Sequence, residues 1–329
     1  MKSNRIITAL AVFAMLVISS CDLPESMSKN PFDKALDRVG LTRQTMTFDY
    51  GDMSNFGGDR FALPLFYALH SDFFKIEHYT NNFKQSVKRN SDKLQNLIGF
   101  ASSRLNEGVR RGLIGDPLDS IYPLLDQPDP LANAITSFLE WQNTALTPSV
   151  ATNLRDRANS VPDQLQRMAA LMIYASIDTL GFRRMAFEKA AREFDLAEMY
   201  TKSQELLASD SDIIDFTLER FALNVDFKYL YTHVQDLARA VDFAVDSLEK
   251  LSFDSEFSFY WTTPLGAILI ADGSDDVYPD GEYFMIIDVG GNDQYEGGGA
   301  NRSVENWISI LIDLDGDDIY KSEEDNIPT

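Results

Sequence analysis

The chain has 329 residues, 44% of them hydrophobic, and carries 51 Asp and Glu against 29 Lys and Arg, for a net charge of −22 at pH 7. That balance excludes nucleic acid and an anionic membrane face as partners, because both select clustered cations. A single cysteine excludes a disulfide framework and a thiolate metal site.

Residues 1–20 read as a targeting segment, with Lys2 and Arg5 as the positive start and residues 6–18 as the apolar run. The run is well short of the roughly 20 residues that span a bilayer. Ile18-Ser19-Ser20-Cys21 resembles the lipobox of bacterial lipoproteins. The resemblance implies loss of the first 20 residues and a lipid on Cys21. It also implies a cell-envelope location, anchored to the membrane on the periplasmic face or at the cell surface. Asp22 resembles the inner-membrane retention signal of enterobacterial lipoproteins, which other bacteria read differently, so the leaflet stays open. Losing Lys2 and Arg5 takes the net charge from −22 to −24.

Residues 21–59 read as a tether and irregular lead-in, with a short helix from Pro31 that Gly40 ends and a Gly/Asp loop over 48–59. Residues 60–253 carry helical periodicity and predict a bundle-like domain. Pro64 opens a helix towards Lys88, and Ser91 caps one running to Arg111. Asp129-Pro130 caps a third, ending near Asn143. Pro162 opens a long helix with Gly181 as its interruption, and further helices follow over 185–208 and 211–223. In the last helix Phe227, Leu230, Val234, Leu237, Val241, Ala244, Leu248 and Leu251 form a seam at spacings of three and four. The seam predicts a bundle core helix, with homodimerisation through 227–251 as the alternative.

Residues 254–329 repeat one pattern three times: Ile270-Ala271-Asp272-Gly273-Ser274-Asp275-Asp276-Val277-Tyr278, Ile287-Asp288-Val289-Gly290-Gly291-Asn292-Asp293-Gln294-Tyr295, and Ile312-Asp313-Leu314-Asp315-Gly316-Asp317-Asp318-Ile319-Tyr320. Each copy is an apolar, β-branched run ending in a Gly/Asp/Asn turn, hence a strand at least partly buried on both faces and then a turn. The repeats predict a short β-solenoid or a meander of hairpins. The chain as a whole therefore reads as α+β and multidomain. Ending nine residues after Tyr320 without a capping element, it also reads as a truncated or minimal form of a longer array.

The turns resemble those of calcium-binding β-roll proteins, without the third Gly of that motif. The resemblance implies Ca2+ as a cofactor, with Asp275, Asp276, Asp288, Asp293, Asp313, Asp315, Asp317 and Asp318 as its candidate ligands. Residues 271–325 hold sixteen Asp and Glu against Arg302 and Lys321. So dense a charge needs a cation or solvent to screen it, and hard oxygen sites suit Ca2+. The alternative is that these Asp side chains only cap turns. If the copies form successive rungs, Tyr278, Tyr295 and Tyr320 stack as a ladder that serves packing or offers a sugar-binding groove.

No HExxH, ExxH, GxSxG, P-loop or GxGxxG is present. His70, His78 and His233 read as helix-surface or interface residues. The leading expectation is a non-enzymatic binding or scaffold protein of the envelope, with a glycan or protein ligand. The alternatives are an envelope hydrolase acting on glycan or peptide, and self-assembly through the 227–251 helix.

Overall fold

The computed structural model of the protein describes residues 31–42, 75–105, 116–208, 216–253, 255–296 and 306–321. Cys21 and the targeting segment, the 48–59 loop, Pro64, His70, the helix end at Arg111 and the tail after Lys321 lie outside the described residues. The chain divides into two units, Met1–Phe83 and Lys84–Thr329. The first contains α1 (Pro31–Arg38), which ends as expected at Gly40, whose φ of +73° suits glycine. Helix α2 (Lys75–Asn90) crosses the boundary, and in it the Asn82 amide meets His78 Nε2 at 2.8 Å.

In the second unit, α3 (Leu94–Arg104) begins without help from Ser91, whose hydroxyl donates back to the Lys88 carbonyl instead. Its cap comes from far along the chain: Asp242 accepts from the N–H of Leu94 at 2.8 Å and of Gln95 at 2.9 Å. After α4 (Tyr122–Leu125), α5 (Pro130–Trp141) starts at the expected proline, but Asp129 does not cap it. Asp129 sits at φ 53° and pairs with Arg155 at 2.9 Å. Helix α6 (Pro148–Ala158), capped by Thr147, is not foreseen in the sequence reading.

Helix α7 (Asp163–Phe187) runs straight through Gly181. A helical glycine costs about 1 kcal/mol, and burial of Leu165, Met168, Leu171, Met172, Ile173 and Leu180 outweighs it. The single helix expected over 185–208 is instead broken by a turn of 3-10 helix (Ala190–Arg192) before α8 (Leu196–Ala208), because Asp195 caps the N–H groups of Ala197 and Glu198. After α9 (Phe216–Ala222), α10 (Phe227–Leu248) starts at Asp226, whose carboxylate accepts from Tyr229 N–H at 2.9 Å. It packs on α7 and α3, with Ala244 and Leu248 buried and Leu237 and Val241 against the core. Leu251 lies beyond the helix and is exposed.

The repeats form two sheets. The larger has the order β1-β2-β4-β6 (Ser258–Thr263, Gly266–Ala271, Tyr283–Asp288, Ile310–Asp313). The smaller has the order β3-β5-β7 (Val277–Tyr278, Gln294–Glu296, Ile319–Lys321). Only β1 and β2 form an antiparallel hairpin; every pairing between copies is parallel. Each copy thus gives one strand to each sheet, and its turn lies over the turn of the next copy. Gly291 and Gly316, at φ +127° and +147°, make that approach possible: a Cβ on Gly316 would collide with the Gly291 carbonyl oxygen, and one on Gly291 with the Ser274 carbonyl.

Strand β4 is buried at every position, as its apolar run predicts. One face of the larger sheet joins the helical core, where the rings of Phe138 and Phe284 lie 4.4 Å apart. Ala267, Ala271, Tyr278, Tyr283, Ile286 and Tyr295 form a second small core with that sheet's other side. The protein is therefore mixed α and β, with ten α-helices preceding the sheets among the described residues. No described helix is long and apolar enough to cross a membrane.

Candidate functional site

The in-register copies place like residues side by side. Ala271, Asp288 and Asp313 align at the ends of β2, β4 and β6, and Tyr278, Tyr295 and Tyr320 align in the smaller sheet. The tyrosine rings stack with centroids 4.8 and 4.7 Å apart. Tyr278 and Tyr295 are buried, and Tyr320 is exposed.

Two lines of hydrogen bonds run across the turns in opposite senses. In one, Asp276 N–H donates to Asp293 Oδ1 at 2.6 Å, and Asp293 N–H donates to Asp318 Oδ1 at 2.8 Å. In the other, Asn292 N–H donates to Asp275 Oδ1 at 2.7 Å, and Asp317 N–H donates to Asn292 Oδ1 at 3.1 Å. Turn capping, foreseen as the alternative role, is thus made between copies as well as within them. Asp272, passed over as a candidate, caps its own turn by accepting from Ser274 N–H at 3.0 Å and holds Phe257 N–H at 2.8 Å. Its signal was visible: it sits at the end of an apolar run and two residues before Ser274.

The first copy has Ala271 where the others have Asp, so three tyrosine hydroxyls share two strand-end carboxylates. Tyr278 donates to Asp288 Oδ2, Tyr320 donates to Asp313 Oδ2 at 2.7 Å, and the buried Tyr295 hydroxyl has no partner. Asp288, fully buried, also accepts from Gly290 N–H at 2.9 Å.

Of the eight acidic candidates, the fold brings three together. One carboxylate oxygen each of Asp276, Asp288 and Asp293 lies within 4.8 Å of the others. Asp293 is 1% exposed, and its Oδ2 is buried with no hydrogen-bond partner. Asp275, Asp315 and Asp317 are exposed at the turn surface, Asp318 is committed to Asp293 N–H, and Asp313 to Tyr320.

The electrostatics follow from this crowding. Burial pushes Asp288 up to about 7, although the Tyr278 hydroxyl and Gly290 N–H pull the other way. Burial, then the charges of neighbouring carboxylates, raises Asp276. Burial first raises Asp293 and Asp313 as well. Burial raises all three tyrosines, and the Asp charges around Tyr295 add to its shift. Convergent carboxylates with an acceptor atom facing no donor need a proton or a cation among them. The orphaned Asp293 Oδ2 fits a hard cation, and nothing in the three ligands singles out Ca2+.

Comparison with family models, curated proteins and solved structures finds no match to this chain.

Proposed function

We propose that the three copies are rungs of a short β-solenoid ordered by Ca2+, carried on a lipid-anchored protein of the bacterial envelope whose role is binding or scaffolding rather than catalysis. The observation that carries this reading is the convergence of Asp276, Asp288 and Asp293, with Asp293 Oδ2 left without a donor. A divalent ion there would complete that atom and offset the repulsion among carboxylates that the turn backbone holds close. The turn backbone and the Tyr278 hydroxyl hold these carboxylates in place, with Asp276 N–H on Asp293, Tyr278 on Asp288 and Gly290 N–H on Asp288, an arrangement that suits a structural ion. The lipobox-like stretch ending at Cys21 and the net charge of −22 support an extracytoplasmic setting, where calcium is abundant enough to be a structural ion.

The test is thermal unfolding of a secreted form beginning at Asp22, with Ca2+ and then with a chelator. Extracellular calcium modules bind at roughly 0.1–1 mM, so about 10 mM Ca2+ should stabilise the fold by about 1.4 to 2.7 kcal/mol by linkage. Asp293→Asn, which removes one of the three negative charges, should abolish most of that shift. Identical curves with Ca2+ and chelator would leave protons as the counter-ions, and the turns would be capped, not metal-bound.

A further inference from the structure

We propose that the cavity bounded by α7, the end of α5 and the β1–β2 turn is a binding site for a small carboxylate with an apolar body, gripped by Arg183. The cavity holds about 560 Å3; Trp141, Phe187, Leu265 and Trp307 form its apolar wall, and its polar lining includes Arg183 and Gln142 together with the Glu188–Arg192 pair. That volume and an apolar wall with polar groups set into it match small-molecule sites.

Arg183 is the reason for the acid. Its guanidinium carbon lies 4.1 Å from the Trp307 ring centroid and 5.0 Å from that of Phe187. The two rings lie against the guanidinium carbon, and a guanidinium N–H edge matches a carboxylate in a two-pronged pair. No described carboxylate pairs with it, in a chain whose net charge is −22. Its burial lowers the pKa of the guanidinium, so the charge is desolvated without an anion beside it. Arg184 adds positive charge at the rim, whereas Arg192 is already engaged by Glu188 at 2.5 Å. At the wall, both amide atoms of Gln142 are buried without a partner, a second polar group in need of one.

This site is separate from the acidic turns and stands whether or not they bind calcium. Trp141 and Trp307, two of the chain's three tryptophans, line it, so their emission reports occupancy. The full chain is titrated with 4-phenylbutyrate and, as the uncharged match, 4-phenylbutyramide. The acid should give a saturable change below about 10 mM, with the amide at least about tenfold weaker, the loss of a charge-assisted pair. Arg183→Lys keeps the charge but loses the planar fork and should weaken the acid about tenfold, with its unfolding midpoint checked. Should that variant not fold, the comparison of acid with amide on the unaltered chain decides alone. Equal binding of acid and amide, no saturation, or an unchanged affinity in folded Arg183→Lys would overturn the proposal. A peptide ending in Phe with a free carboxylate that binds more tightly than 4-phenylbutyrate would make the occupant a chain terminus and overturn it too.

Discussion

His233 shows how a side chain's neighbours set its chemistry. Its ring lies on Phe182, with centroids 3.2 Å apart and planes 4° from parallel, and the Tyr229 ring meets it edge-on at 5.2 Å. Burial lowers its pKa to about 4, with Asp236 Oδ2 3.6 Å from Nδ1. The folded state thus resists a proton that the unfolded chain accepts near pH 6.5. Stability from this residue is complete above pH 6.5 and is lost as pH falls towards 4. His233→Phe, which keeps an aromatic ring on Phe182, should remove about 2 kcal/mol of that acid sensitivity. Urea unfolding of both proteins at pH 7 and pH 4.5 measures it; parallel losses in the two would show that His233 is not the sensor. The sequence placed His233 beside the α10 seam, but Phe182 lies on another helix, and no local pattern could announce it.

At the scale of elements, sequence signals mark where helices begin more reliably than what caps them. Pro130 and Pro162 stand at or just before helix starts, as their missing N–H allows. The cap of α3 is a carboxylate 148 residues away in sequence, Asp242 on α10. Beside it, Lys93 pairs with Asp246, which holds the lysine charged and the carboxylate below its usual range. Asp242→Ala strips two N–H groups of their acceptor and should cost about 1–2 kcal/mol. Asp242→Asn keeps one acceptor oxygen but turns its NH2 towards the other N–H, so it should recover at most about half of that loss. Faster amide exchange at Leu94 and Gln95 in the alanine variant would locate the loss; unchanged exchange there would place α3's stability elsewhere.

For the second unit as a whole, the decisive contact is between helices and sheet. A single apolar core runs from Leu118 through α5 and α7 to Phe284 and Ile312, so neither layer keeps its core without the other. Helix signal in the far ultraviolet and tryptophan emission should therefore fall together in urea, at one midpoint. Phe138→Ala, which removes the ring facing Phe284 at 4.4 Å, should move both transitions together by about 3–5 kcal/mol. Two separated transitions would mean that helices and repeats fold independently.

The sequence by itself determined the local order: helices first, then three apolar runs, each ending in a Gly/Asp turn and a tyrosine. Those features rest on side-chain period and backbone preference, which act over a few residues. It also carried the acidic turns and the tyrosine stack, since a repeat in sequence becomes a repeat in register once strands pair. Only the tertiary structure decided which carboxylates meet. Asp276, Asp288 and Asp293 come from two different copies, and their convergence depends on parallel pairing and on the close approach that Gly291 and Gly316 permit. Ala271 in place of a third strand-end Asp leaves Tyr295 without a partner, a consequence that exists only once the copies are stacked. The Arg183 cavity lies further still from local pattern, because Trp141, Arg183 and Trp307 are far apart along the chain and meet only when the sheet packs on the helices. Charge and propensity are written residue by residue, whereas burial and the sharing of hydrogen bonds are properties of the packed chain.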